Sequence, residues 1–125
     1  MGLDMFLRGR KYHMDRRRKI EGFELESETF ELGYWRKHPN LHGYIVEKFA
    51  DGQDNCQSIY LETKDLERIL GAVMQEGLPH TTGFFFGESE SADYQDTTKQ
   101  IEGAIKWLNV KDNDALRSVY YWASW

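Results

Sequence analysis

The stretch Cys56–Val73, CQSIYLETKDLERILGAV, contains the clearest structural boundary in the chain. Its first part has the β-branched and aromatic character of a strand, and Thr63 then predicts a helix N-cap followed by two acids in the first turn. An apolar stripe at the spacing i, i+3, i+4 and i+7 is formed by Leu66, Ile69, Leu70 and Val73. We therefore predict a strand and then a helix from about Lys64 to Glu76 that stops at Gly77.

The rest of the chain shows further strand and helix patterns. The start, GLDMFLRG, and the end, LRSVYYWASW, predict strands, and FELESETFELGYW (23–35) predicts two short strands or a bent ribbon. Helices are predicted from Pro39 to near Gly52 and from about Ala92 to Leu108. The inward residues expected in the strands include Leu3, Met5, Leu7, Phe23, Leu25, Phe30 and Leu32, and in the last strand Val119, Tyr121 and Ala123 oppose Tyr120 and Trp122. This order predicts one α+β domain over residues 1–125, with about three helices on one face of a mainly antiparallel or mixed sheet.

Composition restricts the class of protein. A chain of 125 residues is long enough for one ordinary core, and no apolar run is long enough to span a membrane. The lone Cys56 excludes an intramolecular disulfide and agrees with a reducing compartment, so we expect a cytoplasmic protein.

The charge is distributed unevenly. A basic segment within Arg8–Lys19 holds seven cations and one acid, Asp15, so its net charge is +6 and the other residues sum to -11. The cations are Arg8, Arg10, Lys11, Arg16, Arg17, Arg18 and Lys19. We predict a basic loop at about 8–20, which either binds an anionic partner or folds back on the acidic body of its own domain. The second reading is favoured, and the acidic remainder disfavours nucleic acid as a partner.

A possible anion site lies in YWRK. Trp35, Arg36 and Lys37 precede the N-terminus of the predicted helix at Pro39, where free backbone N–H groups attract a phosphate or carboxylate. An alternating strand that buries one aromatic residue explains the same pattern without a ligand.

The stretch TTGFFFGES lacks the lysine of a phosphate loop and the three glycines of a dinucleotide fingerprint. As a strand it would direct Phe84 and Phe86 to one face and Phe85 to the other. Phe85 is then either a core residue or the wall of a groove with Thr82 at its rim.

Catalytic and metal sites have weaker signals. His42 and Cys56 are the candidate base and nucleophile, and His38 and His42 have the i, i+4 spacing of zinc ligands, although Pro39 favours His38 as a helix cap. Trp125 is either a partner anchor or a residue docked on the sheet. Structural roles are favoured for all of them, so we expect no enzyme activity, metal or cofactor.

Several blocks of the sequence are shared with a known group. MGLDMFL, YWRKHPNLH, GQDNC, TTGFFFG and YYWASW occur in this order over nearly the whole chain. They resemble a family of small proteins encoded by bacteriophages and prophages, in which no activity, cofactor or partner is established. The resemblance implies a relationship and transfers no chemistry.

These observations predict a non-enzymatic accessory protein of phage type. It would act by binding a host macromolecule, most simply a protein, or by self-association, for example against a host defence system. The alternative is a small-molecule or nucleotide binder with an aromatic pocket formed by Trp35 and Phe85 and rimmed by Arg36, Lys37 and Thr82. His42 and Trp125 complete the set of candidate partner-binding residues.

Overall fold

Apolar residues alternate along the first strand and thereby give it one buried face. The computed structural model describes residues 2–15, 17–75, 77–79, 81, 89 and 91–125, without the side chains of residues 91 and 92. Its elements are β1 (Asp4–His13), β2 (Lys19–Ile20), β3 (Phe23–Glu24), β4 (Ser27–Arg36), α1 (Pro39–Phe49), β5 (Ile59–Leu61), α2 (Thr63–Met74), α3 (Ser91–Leu108) and β6 (Ala115–Ser124).

The main sheet has four strands in the order β4-β1-β6-β5, and every neighbouring pair is antiparallel. A separate two-residue ladder joins β2 to β3 in a hairpin whose turn residues, Glu21 and Gly22, both have positive φ. The structure is therefore an α+β domain with a mainly antiparallel sheet and three helices, and the predicted fold class is confirmed.

The core lies between one face of the sheet and the three helices. Leu3, Met5 and Leu7 are buried on this face with Val119, Tyr121 and Ala123. The helices contribute Leu41 and Ile45 from α1, Leu66, Ile69 and Val73 from α2, and Ile101 and Ala104 from α3. All three helices thus cover one face of the sheet, and the side chains on the other face have no helix above them among the described residues.

Three of the expected inward residues are outside the buried core, and one of them, Leu25, lies in the link between β3 and β4. Phe23 is in the hairpin rather than in the main sheet, and 77% of its surface is exposed. Phe30 lies on the helix side against Trp107 but remains 38% exposed, because this end of β4 extends beyond the core. A register shift opposite Leu7 and Arg8 leaves Leu32 unpaired, which interrupts the alternation in β4.

The basic segment is not the continuous loop that the sequence predicted. Its first half belongs to β1, which continues to His13, because the strand needs this length to pair with β4 and β6. The helix after β5 also begins differently. Glu62 rather than Thr63 is the N-cap of α2, and it forms a reciprocal capping box with Asp65.

Candidate functional site

Trp35 is a core residue and does not line an open groove. Its side chain is buried, and the indole Nε1 donates to Thr97 Oγ1 at 2.8 Å. Thr97 in turn donates to the carbonyl of Asp93, so the bond fixes Trp35 against the first turns of α3. The expected aromatic pocket therefore does not have Trp35 as an exposed wall.

Arg36 and Lys37 are exposed, as the anion-site hypothesis requires, but the helix end beside them is already capped. The Asn40 N–H donates to Ser89 Oγ at 3.1 Å, so a hydroxyl occupies one of the backbone donors that an anion would use. His38 is the N-cap residue, and its Nδ1 lies 2.7 Å from the same hydroxyl. Arg36 and Lys37 therefore precede the helix in the chain, but Arg36 is at an outward position of β4 and Ser89 already occupies this N–H group.

His38 is fully buried, and burial lowers its pKa to about 4, while Asp93 nearby opposes part of that shift. Its ring packs edge-on against Tyr94, and its Nε2 has no hydrogen-bond partner among the described residues. At neutral pH this histidine is therefore uncharged, and it occupies the N-cap position of α1 without a side-chain bond to the helix N–H groups.

His42 lies in a buried polar cluster that links α1 to β6. Its Nδ1 is 2.7 Å from the Tyr121 hydroxyl, and its Nε2 is 2.9 Å from Asp54 Oδ2. Tyr121 is completely enclosed, and burial raises its pKa well above the ordinary value, so the phenol is protonated. The hydroxyl can therefore donate to Nδ1 while the Nε2–H donates to the carboxylate.

Cys56 shares a recess with this cluster, but the recess has no room for a water molecule. Both ring nitrogens of His42 already have polar partners, so in this arrangement neither is free to take a proton from the Cys56 thiol. The cysteine is exposed, and its carbonyl accepts a hydrogen bond from the Trp122 indole at 2.8 Å. The geometry therefore gives His42 a structural role and does not support it as a base for Cys56.

Trp125 is half-buried and contacts the His42 ring edge-on, with 5.6 Å between the ring centroids. It docks the end of the chain against the polar cluster. The other two residues of the predicted pocket, Thr82 and Phe85, lie outside the described residues, as does Arg16 of the basic segment.

Much of the basic segment is paired with acids of the same chain. Lys11 Nζ lies 3.2 Å from Asp112, Arg17 lies 2.7 Å from Asp15, and Arg18 lies 3.5 Å from Glu28. Arg10 and Lys19 are exposed in β1 and β2. Lys11 and Arg18 thus pair with acids outside the segment, whereas Arg17 pairs with Asp15 inside it.

Arg8 differs from the rest of the segment because it lies among aromatic rings. Its guanidinium carbon is 4.6 Å from the centroid of Phe6 and 5.3 Å from that of Trp122. These distances are within the range of cation–π attraction. Arg8 forms no ion pair with a carboxylate among the described residues.

Sequence reasoning missed the uncovered face of the main sheet. One row of rings crosses three strands, with 5.2 Å between the centroids of Tyr34 and Phe6 and 5.3 Å between those of Phe6 and Trp122. A second row lies one pleat away, where Tyr120 and Tyr60 are 5.6 Å apart. We call this surface the open face and define it by Phe6, Arg8, Tyr34, Tyr60, Tyr120 and Trp122.

The outer rings of the open face are well exposed. Tyr60 is 62% exposed and Tyr34 is 41% exposed, whereas the three inner rings are partly covered by their neighbours. The Tyr34 hydroxyl donates to Asp4 at 2.7 Å, and the Trp122 indole is held by the Cys56 carbonyl. Because these bonds fix the edges of two rings, the face is a preorganised surface.

A signal for the open face was present in the sequence. The outward residues of β1 and β6 are the alternate positions Phe6, Arg8, Tyr120 and Trp122, which alternation places on one face of each strand. Only the strand order brings them together, since β1 and β6 are separated by more than 100 residues in the chain.

Comparisons with known proteins gave no match to a protein-family model, a curated protein or a solved structure. Among the described residues, no helix is both long and apolar enough to cross a membrane. The same part of the chain holds no group of three His, Cys, Asp or Glu side chains arranged to bind a metal ion. The site is therefore interpreted from its own geometry.

Proposed function

We propose that the protein is a non-enzymatic binding protein and that the open face is its binding surface. One observation carries this proposal. Five aromatic rings and an arginine lie together on the strands β4, β1, β6 and β5, on the side of the sheet opposite the three helices. Tyrosine, tryptophan and arginine are the residues most enriched among the energetic centres of binding surfaces.

The sheet also makes the open face rigid. Its rings lie on hydrogen-bonded strands, and the helices on the other side fix those strands in place. A surface that is ordered before binding loses little conformational entropy when a partner arrives. The resemblance to phage-encoded proteins supports a role in a bacterial host cytoplasm, as an accessory protein that engages a host macromolecule or a second copy of itself.

Site-specific photocrosslinking tests this proposal. A photoreactive phenylalanine analogue is introduced at Tyr60 or Tyr34, and the protein is irradiated in bacterial cells. A matched control carries the analogue at Glu102, which is exposed on α3 on the other side of the sheet. The proposal predicts adducts from the two tyrosine positions and none from Glu102.

The adducts also report the class of partner. A product of twice the monomer mass indicates self-association, a nuclease-sensitive product indicates nucleic acid, and any other protein product indicates a host protein. The absence of adducts at both tyrosine positions, together with a monomer by light scattering, would overturn the proposal.

A further inference from the structure

We infer that the partner of the open face is a single-stranded nucleic acid, whose bases stack on the aromatic rows. This inference rests on the proposed function and names the partner of the same site. It replaces the expectation that was drawn from the net charge. That expectation counted the acids of the whole chain together and therefore disfavoured nucleic acid as a partner.

The first support is the architecture of the open face. A four-stranded antiparallel sheet with helices on one side and aromatic rings on the strands of the other side is an arrangement that stacks bases of single-stranded RNA. Phe6 and Trp122 lie on the two central strands, β1 and β6, and Tyr34 and Tyr60 lie on the outer strands. The rings therefore extend across the full width of the sheet.

The second support is the spacing of the two rows. Phe6 and Arg8 are two residues apart on β1, as are Trp122 and Tyr120 on β6, which corresponds to a separation of about 6.8 Å along the strands. That distance is about twice the 3.4 Å between stacked nucleotides. Bases of an extended strand could therefore reach one row after the other, whereas the bases of a duplex remain stacked and inaccessible.

The third support is the local charge. The outward positions of β1 and β4 hold three cations, Arg8, Arg10 and Arg36, and two acids, Asp4 and Glu31. The face is thus slightly positive although the chain carries -5. Arg8 is central among these cations, and its guanidinium could contact either a base or a phosphate.

The chemistry of the rows favours bases over a protein surface. The two rows consist of aromatic rings and Arg8, and the aliphatic residues next to them in the strands are on the core side, while Leu116 is exposed on the same face at the far end of β6. Every base has a π-face that such rings can stack on, so binding would depend little on sequence. A host protein bound at the same face is the outcome that would contradict this inference.

Fluorescence anisotropy with labelled oligo(dT) and oligo(U) of about 16 nucleotides tests the inference, and a duplex of the same length serves as the comparison. We expect Kd values of roughly 1 to 100 μM at about 50 mM salt, weaker binding at about 200 mM salt, and weaker binding still to the duplex. Equal affinity for the duplex, or no binding of either oligonucleotide in this range, would overturn the inference.

Matched variants locate the site. Tyr60→Ala and Tyr34→Ala should each weaken binding by about five- to 150-fold, whereas Tyr60→Phe keeps the ring and should bind as the wild type does. Phe23→Ala removes an exposed aromatic ring from the hairpin and should have no effect. Binding that survives both tyrosine truncations would show that the nucleic acid binds elsewhere and would also overturn the inference.

A second pair of variants tests Arg8. Arg8→Ala should weaken binding and reduce the slope of log K against log salt concentration by about 0.7, the value for one phosphate contact in a single strand. Arg68→Ala is the control, because Arg68 also lies over a ring, 5.6 Å from the centroid of Phe49, but on α2. An equal effect of the two substitutions would contradict a specific role for Arg8.

These results separate the inference from the proposed function. If the oligonucleotides do not bind but the crosslinker at Tyr60 captures a protein, the open face is a binding surface and the inference about nucleic acid is wrong. If neither the oligonucleotides nor the crosslinker gives a signal, both are wrong.

Discussion

The side-chain amide of Gln100 bonds to both backbone polar groups of Tyr34. Gln100 Oε1 accepts from the Tyr34 N–H at 2.7 Å, and Gln100 Nε2 donates to the Tyr34 carbonyl at 3.3 Å. Tyr34 belongs to the edge strand β4, so the amide from α3 occupies the place of a further strand. An edge covered in this way is protected from pairing with another chain.

Gln100→Ala should therefore destabilise the protein and expose the edge. We expect a loss of about 1 to 2 kcal/mol in the free energy of unfolding, measured by urea denaturation, because two hydrogen bonds disappear. Gln95→Ala on an exposed position of the same helix is the control and should change stability by less than about 0.5 kcal/mol. Equal free energies of unfolding for Gln100→Ala and Gln95→Ala would disprove the contact between Gln100 and Tyr34.

Two glycine substitutions should have opposite effects. A Cβ at Gly9 would lie 2.6 Å from Trp107 Cζ3 and 2.8 Å from Leu32 Cδ1, so Gly9→Ala should cost about 1 to 3 kcal/mol through overpacking. At Gly71, inside α2, an added Cβ has no heavy atom within 4 Å. Gly71→Ala should therefore stabilise the protein by about 0.5 to 1 kcal/mol, since alanine has the higher helix propensity.

Thermal and urea unfolding of both variants check this prediction. Stabilisation by Gly9→Ala would show that α3 does not approach β1 as closely as Trp107 indicates. Loss of stability in Gly71→Ala would show that α2 is packed on this side as well.

The hydrogen bond between Tyr121 and His42 should contribute more to the free energy of unfolding than an ordinary surface contact does. Tyr121→Phe leaves His42 Nδ1 buried without its partner, so we expect a loss of about 1 to 3 kcal/mol. Tyr120→Phe, one residue earlier on the open side of β6, removes a hydroxyl from the other face and should be within about 0.5 kcal/mol of the wild type. Equal losses in the two variants would argue against the buried cluster.

Stability should decrease as the pH falls from about 6.5 to about 4. Burial lowers the pKa of His38 to about 4 in the folded protein, whereas the unfolded value is 6.5. The unfolded chain therefore binds the proton more readily in this range, and the contribution of His38 is fully present only above pH 6.5. The expected loss is of order 2 to 3 kcal/mol.

Urea denaturation of the wild type and of His38→Gln across this pH range measures the effect. The variant has no titrating group at this position, so its stability should depend less on pH than that of the wild type. Parallel pH profiles for the two proteins would contradict the assignment to His38.

Local patterns in the sequence were sufficient to predict the fold class and most of the strands and helices. The strand at Ile59 and the helix after it followed from β propensity and from the apolar stripe through Leu66 and Val73, and both are present. The two faces of β6 also followed from alternation, because successive strand residues point to opposite faces, and the structure shows that Val119, Tyr121 and Ala123 form the inward one.

The candidate site was less accessible to this reasoning. Trp35 looked suitable for a ligand, but whether an aromatic residue is buried depends on what packs above the strand, and its partner Thr97 in α3 lies 62 residues further along the chain. The acids that pair with Lys11 and Arg18 could not be identified from the sequence either. The distance between each cation and its acid depends on how β1, β4 and the turn before β6 pack together.

The sequence by itself therefore determined which segments become strands and helices, and which side of each strand is apolar, since these depend on neighbouring residues. Only the tertiary structure decided that β1 lies between β4 and β6 and that all three helices cover the same face. Phe6 and Trp122 became neighbours through that strand order, because hydrogen bonding between distant strands rather than chain proximity sets their distance.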